Sequence, residues 1–260
     1  MSRGTKATAA LVLLGLLTAA SVVRAEVSQE QQLRVIVAGK LSPHALPRVA
    51  KAPVAVSIAG RISTSDGSPP PQLQTLRIDL NRHGSLDYAG LPICPFDRIQ
   101  PASSARALAA CRSALVGQGR FWANIVLAGQ APYPSQGKLL VFNGRRHGRP
   151  VLLGQIYSPR PFANSFVIVF TVHRLRRGSF GTALTASLPK ALGNWGYVTA
   201  IEMTLAREFR YRGARHSYVS AGCPAPPGFS TATYPLARTS FRFAGGFELG
   251  STLNRNCRVR

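Results

Sequence analysis

The chain has 260 residues, with 32 lysines and arginines against nine aspartates and glutamates, which gives a formal net charge of +23. Charged residues make up only 16% of the chain, compared with about 25% in an average domain, so the charge arises largely from missing acids. Because carboxylates are the usual general acids, bases and hard-metal ligands, this composition leaves few candidates for a carboxylate-dependent enzyme. The hydrophobic content of 45% is enough to build a core and excludes a chain that is disordered by composition.

The first 25 residues have the features of a cleaved secretory signal peptide. Arg3 and Lys6 precede an apolar run over residues 9–20, which is too short for a transmembrane helix. Small residues at Val23 and Ala25 predict cleavage after Ala25, with cleavage after Ala20 as the alternative. No later apolar run reaches about 18 residues, so no transmembrane segment is expected after removal of the signal. That removal lowers the formal charge by three, to +20.

The four cysteines predict two disulfide bonds, because an even number in an exported protein is typical of a bridged fold. Three pairings are possible, and the favoured one joins sequence neighbours, Cys94–Cys111 and Cys223–Cys257, so that each bond closes a short loop. The alternative is a zinc site, but the chain has neither a C-x-x-C motif nor paired histidines. Neither a metal nor a cofactor is expected.

The predicted elements, taken in chain order, are mostly strands. Alternating apolar and polar residues predict strands over 33–37, 54–62 and 76–80, and a turn follows at 81–84. The one helix is predicted over 104–115, with Ser103 or Ser104 as its cap and Gly117 at its end. Further strands are predicted over 121–127, 139–142, 151–157, 166–172, 182–188, 197–211, 218–220, 241–247 and around residue 253. The apolar run over 166–170 indicates a central strand that is covered on both faces.

About ten short strands and one helix predict an all-β fold. The expected architecture is a β-sandwich or jelly-roll-like arrangement. No repeat of fixed period and no long linker divides the chain, so a single domain over residues 26–260 is expected.

Enzyme motifs are missing from the sequence. It contains no G-x-S-x-G elbow, no H-E-x-x-H, no Walker A loop and no G-x-G-x-x-G. A hydrolase would have to take its carboxylates from a small set of acids, of which the candidates are Asp79, Asp87, Asp97, Glu202 and Glu208. The stretch 79–84 resembles the start of a calcium loop, but His83 and Gly90 stand where oxygen ligands belong, which favours a hairpin turn.

Arginines are clustered at 145–149, 174–177 and 207–215. Glycines flank the first two clusters, which indicates hairpin loops. Arginine guanidinium groups bind phosphate and carboxylate in a bidentate manner, so these loops are the candidate binding site for an anionic polymer. The candidate binding residues are Arg145, Arg146, Arg149, Arg174, Arg176 and Arg177. The alternative is that scattered arginines only keep a β-rich protein soluble.

Several segments match a known group of proteins. They lie at 52–56, 66–71, 81–84, 90–94, 109–117, 193–197 and 220–224. In these segments the chain resembles an uncharacterised family of exported, disulfide-containing proteins from high-GC bacteria. The resemblance spans most of the mature chain and implies export and disulfide bonding, but it carries no activity, ligand or catalytic residue.

Three functional hypotheses follow. The first is an exported, non-enzymatic protein that associates with anionic cell-envelope or extracellular polymers, such as a wall polymer or an acidic polysaccharide, through its arginine-rich loops. Nucleic acid would fit the charge but is not expected as a physiological partner of an exported protein. The second is a secreted hydrolase of envelope glycans or esters, which needs two carboxylates in one cleft. The third is a structural or oligomerising module, which needs an exposed apolar patch or an open edge strand.

Overall fold

The computed structural model describes residues 25–188 and 196–260. The predicted signal peptide therefore lies outside the described residues, apart from Ala25. Strand accounts for 62% of the structure and helix for 7%, which confirms the all-β prediction. In chain order the strands β1 to β18 span Ala25–Glu30, Leu33–Ser42, Ala45–Leu46, Ala52–Pro53, Ala55–Thr64, Leu73–Asn81, Gly84–Leu86, Leu115–Ile125, Tyr133–Arg146, Arg149–Ser158, Asn164–Arg174, Phe180–Ser187, Gly196–Leu205, Glu208–Tyr211, Ala214–Ser217, Val219–Ala221, Thr231–Phe243 and Glu248–Val259.

Thirteen of these strands form one sheet, in the order β1-β2-β5-β13-β8-β9-β10-β11-β12-β6-β17-β18-β3. Neighbours are antiparallel except for β18 and β3, which are parallel. Two small sheets, β14-β15 and β4-β16-β7, complete the described structure. The structure has more strands than the roughly ten that the sequence predicts. The additional strands are short, and their few residues do not form a recognisable alternation of apolar and polar side chains in the sequence.

The large sheet curls so that its two halves face each other. Gly60 of β5 lies against the ring of Phe241 of β17, and Gly39 of β2 lies against Leu253 of β18, although these strands are far apart in the sheet order. Arg255 of β18 links the two ends of the strand order. Its Nε donates to the Gly39 carbonyl of β2 at 2.6 Å, and its Nη1 donates to the Glu26 carboxylate of β1 at 3.0 Å. The apolar faces are thereby enclosed between the halves, as the hydrophobic effect requires.

Helix α1 (Ser104–Cys111) covers part of the outer face of the sheet. Its N-cap is Ser103, whose hydroxyl accepts from the Arg106 backbone at 3.3 Å, as predicted. Beneath it a second apolar cluster joins Ala107 to Phe142, Leu153 and Val167. This explains why residues 166–170 are apolar on both faces, since Ile168 and Phe170 belong to the main core while Val167 packs on the helix side.

The predicted helix is too long at its C-terminal end. After Cys111 the chain forms a 3-10 turn at Arg112–Ala114, and Leu115 already pairs with Phe142 of β9. The ladder of β8 with β9 therefore replaces the last predicted helical turn. The predicted strand over 197–211 is likewise two strands, β13 and β14, separated at residues 206–207.

Both disulfide bonds have the predicted pairing. Cys94–Cys111 joins the loop after β7 to the end of α1, with a Cα–Cα distance of 5.4 Å. Cys223–Cys257 joins the segment after β16 to β18, with a Cα–Cα distance of 5.7 Å. No free cysteine is present in the described residues. Because disulfides persist in oxidising compartments, both bonds indicate such an environment.

Candidate functional site

The first predicted arginine cluster forms the tip of the β9-β10 hairpin. His147 and Gly148 both have positive φ angles, +48° and +75°, which is the conformation of a tight two-residue hairpin turn. The turn places Arg146 directly opposite Arg149, and Arg145 opposite Pro150. The predicted hairpin loop is therefore confirmed, and it presents three arginines within one short segment.

The second predicted cluster lies in the β11-β12 connection. Arg174 ends β11 opposite Thr182, and the Leu175 backbone donates to the Gly181 carbonyl at 2.9 Å, which closes the loop. Arg176 and Arg177 are exposed within this loop. The sequence prediction of a glycine-flanked loop is again confirmed.

The sheet order brings the two loops together. Strand β10 runs between β9 and β11, and the register Val151↔Thr171 places the start of β10 beside the end of β11. The two loops are thus separated by about two strand spacings, or about 10 Å. We call the surface formed by the six arginines, Arg145, Arg146, Arg149, Arg174, Arg176 and Arg177, the arginine end.

The third arginine cluster lies at the same end of the sheet. The Ala206 backbone donates to the Val116 carbonyl at 3.1 Å, so the chain leaves β13 beside the start of β8 before it forms the β14-β15 hairpin. On the other side, the Arg82 backbone donates to the Ser179 carbonyl at 3.0 Å, which sets the turn after β6 beside the second loop. Cationic side chains therefore flank the arginine end on both sides.

The charges of the arginine end are not neutralised by the protein. All six side chains are exposed, and none forms an ion pair or a side-chain hydrogen bond among the described residues. Arg146 and Arg149 face each other across the hairpin, and like charges placed directly opposite are destabilising. The opposed guanidinium groups therefore carry a local electrostatic cost that no described carboxylate offsets.

The carboxylates that a hydrolase would need lie on different elements. Asp97 is exposed in a 3-10 turn, and Glu208 lies 3.8 Å from Arg215 on the β14-β15 hairpin. Asp79 is 2% exposed and is held by Arg77 at 2.7 Å and by Arg238 at 2.6 Å.

The two remaining acids of that set have separate surroundings. Asp87 lies 3.1 Å from the Nδ1 atom of His216, whose ring stacks on Phe209. Glu202 lies on the outer face of β13. None of the five candidate acids shares a described recess with another.

The segment that resembles a calcium loop forms a turn, but not the predicted hairpin turn, because β6 and β7 belong to different sheets. The Asn81 side chain accepts from the His83 backbone at 2.8 Å and donates to the Pro235 carbonyl at 2.8 Å, while Asp79 is occupied by two arginines. Burial, together with the charges of Lys51 and Arg82, lowers the pKa of the His83 imidazole. Over the described ranges 25–188 and 196–260, no group of three or more His, Cys, Asp or Glu side chains is placed to hold a metal ion.

Sequence reasoning missed a groove on the outer face of β13, β8 and β9. Trp122 points outward here, because Phe121 and Ala123 on either side of it are buried in the core. A recess of about 1040 Å³ lies on the β9 side of Trp122, and one of about 520 Å³ lies towards β5. Both recesses share Trp122 and Glu202. The alternation of polar and apolar residues over 118–125 is the only signal in the sequence that could have indicated this face.

The edge strand β1, which lies beside β18, is short and charged. Val27 is 52% exposed there, but Glu26 and Glu30 flank it, and charged residues on an edge strand disfavour pairing with a second sheet. This edge therefore offers no specific surface that would support the hypothesis of an oligomerising module.

Comparisons with protein-family models, with curated proteins and with solved structures find no match to this chain. No helix within the described part of the chain is long and apolar enough to cross a bilayer.

Proposed function

We propose that the mature chain is an exported, non-enzymatic β-sheet protein that binds an anionic cell-envelope or extracellular polymer through the arginine end. The observation that carries this proposal is the placement of six exposed, unpaired arginines on two neighbouring loops at one end of the sheet. Guanidinium groups spaced in this way contact successive phosphate or carboxylate groups along a polymer, which a single surface charge does not.

The two disulfides support export, since such bonds are kept in oxidising compartments. The scarcity of acids supports the same partner. Nine carboxylates in 260 residues produce little repulsion of a polyanion, and two of them, Asp79 and Asp87, are already engaged by Arg238 and His216. Long-range attraction thus adds to the local contacts.

Co-sedimentation with insoluble bacterial cell wall tests the proposal. The wild-type protein should sediment with the wall at low salt and be released at high salt, because exposed charges are screened. The variant Arg145→Gln/Arg146→Gln/Arg149→Gln should remain largely in the supernatant. Negligible binding of the wild-type protein at low salt would overturn the proposal.

A charge-matched control separates a local site from net charge. The variant Arg34→Gln/Arg98→Gln/Arg106→Gln also loses three charges, but its exposed arginines lie on β2, in the 3-10 turn Phe96–Arg98 and on α1. It should bind as the wild-type protein does, within about twofold, since it keeps the whole arginine end. Equal loss of binding in both triple variants would mean that only total charge matters.

A further inference from the structure

The groove around Trp122 has a composition unlike that of the arginine end. In the cross-strand rows, Trp122 stands opposite Ala200 of β13 and Gln136 of β9. The next row places Arg120 between Glu202 and Lys138. Opposite side chains on neighbouring strands have Cβ atoms about 5 Å apart, so these residues form one continuous surface.

Small side chains leave the indole ring accessible. Ala200 lies beside Trp122, and Ala59 of β5 lies beside Glu202, so the floor of the recess towards β5 is nearly flat. On the opposite side Tyr133, which is 42% exposed, adds a second aromatic ring to the wall of the groove. An aromatic wall over a flat floor suits a ligand with flat apolar faces.

The polar groups of the groove are free to bind a ligand. Four cations, Arg61, Arg120, Lys138 and Arg160, line the two recesses, against Glu202 as their one acid among the described residues. None of these five side chains forms an ion pair within the described ranges, even though Arg120 and Glu202 stand directly opposite each other. The groove thus combines hydrogen-bond acceptors and donors with an excess of positive charge.

We propose that this groove is a second binding site, which takes a uronic-acid-bearing oligosaccharide segment. The C–H face of a sugar ring would stack on Trp122, the Glu202 carboxylate would accept from ring hydroxyls, and Arg120 and Lys138 would bind the sugar carboxylate. The site lies on β8, β9 and β13, away from the hairpin tips. The proposal therefore does not depend on binding at the arginine end.

The chemistry of the groove distinguishes this ligand from other anions. A plain polyphosphate has neither a flat apolar face for Trp122 nor hydroxyls that could donate to Glu202. Single-stranded nucleic acid offers bases for stacking, but its phosphodiester groups carry no hydrogen-bond donor for Glu202. An acidic sugar engages all three kinds of group in the groove: its C–H face contacts the aromatic ring, its hydroxyls donate to the carboxylate and its own carboxylate binds the cations.

Isothermal titration calorimetry with hexagalacturonate, and with uncharged cellohexaose for comparison, tests the proposal. Hexagalacturonate should bind, and cellohexaose should bind more weakly. Trp122→Ala should weaken hexagalacturonate binding about tenfold, and Trp122→Phe, which keeps an aromatic ring, about threefold. Glu202→Gln should cost about threefold without threatening the fold, because this side chain is exposed and the change is isosteric.

The hairpin variant Arg145→Gln/Arg146→Gln/Arg149→Gln separates the two sites. It should keep the Trp122-dependent part of hexagalacturonate binding but lose affinity for polyphosphate, whereas Trp122→Ala should lose that part of hexagalacturonate binding and keep its affinity for polyphosphate. If the hairpin variant loses hexagalacturonate binding while the Trp122 and Glu202 variants keep it, the sugar binds at the arginine end and the groove proposal is overturned. No binding of hexagalacturonate to the wild-type protein, or tighter Trp122-dependent binding of a single-stranded oligonucleotide, would overturn it as well.

Discussion

The buried carboxylate of Asp79 makes a large contribution to the stability of the sheet, and Asp79→Asn should reveal it. Asp79 is 2% exposed and accepts three hydrogen bonds, one from Arg77 at 2.7 Å and two from Arg238 at 2.6 and 3.1 Å. Arg238 also lies over the ring of Phe180, at 4.8 Å, so one network joins β6, β17 and β12.

The expected loss can be derived from these contacts. A hydrogen bond to a charged group contributes about 1.5–3 kcal/mol. The three bonds do not add fully, because Arg77 and Arg238 are 44% and 52% exposed and water can replace the lost partner. Asp79→Asn should therefore lower the free energy of unfolding by about 2–3 kcal/mol, somewhat less than the loss of a fully buried ion pair.

Urea denaturation followed by circular dichroism measures this change. The midpoint should fall with an unchanged m-value. Glu248→Gln is the matched control, because Glu248 lies on the same face and pairs with Arg242 at 3.2 Å but is 52% exposed. Its midpoint should stay near that of the wild-type protein. Equal midpoints for Asp79→Asn and Glu248→Gln would refute the assignment of stability to the buried network.

Three further outcomes are expected. Replacing Cys223 and Cys257 together by serine should lower the free energy of unfolding by about 4 kcal/mol, and replacing Cys94 and Cys111 by about 3 kcal/mol, because the first pair closes the longer loop. Thermal melts of the two double variants measure this difference. Burial raises the pKa of Tyr234 from 10 to about 12. Keeping the phenol neutral therefore stabilises the fold fully below pH 10, and this stabilisation is lost as the pH rises towards 12. The melting temperature of Tyr234→Phe should accordingly depend less on pH between 10 and 12. In an NMR titration, the pKa of His83 should lie below 6.5 and should rise when Lys51 is replaced by methionine.

Local patterns in the sequence were sufficient for the strands of the core. Alternation over 33–37 and 54–62 located β2 and β5, and the apolar run over 166–170 located the central strand β11. The disulfide pairing was also predicted, since sequence neighbours close the shortest loops.

Where prediction failed, contacts between distant strands determined the structure. The start of β8 was predicted as helix and loop because it contains Gly117 and Gly119. A Cβ at Gly119 would come within 1.9 Å of the Glu202 carbonyl, so glycine is required there by the close approach of β13 rather than by a turn. The break between β13 and β14 follows a change of partner, since β13 pairs with β5 and β8 whereas β14 pairs with β15.

The two candidate sites differ in how far the sequence indicated them. Arginine clusters flanked by glycine identified the loops of the arginine end, but the adjacency of Arg149 and Arg174 depends on β10 lying beside β11. The groove could not be predicted, because Trp122, Lys138 and Glu202 meet only through the ladders of β8 with β9 and β13. Strand order is a non-local property that periodicity does not contain.

The salt dependence of polyphosphate binding tests the central claim most directly, namely that the two arginine loops act as one surface. For a polyanion, the slope of log Kd against log salt scales with the number of charge contacts, at about 0.7 per contact for a flexible strand. Replacing Arg145, Arg146 and Arg149 by glutamine should lower this slope by about 2, and replacing Arg174, Arg176 and Arg177 as well should lower it by about 4 in total. A control variant with Arg34, Arg98 and Arg106 replaced should leave the slope unchanged. If this control lowers the slope as much as either loop variant does, the polymer responds to total charge and the arginine end is not a site.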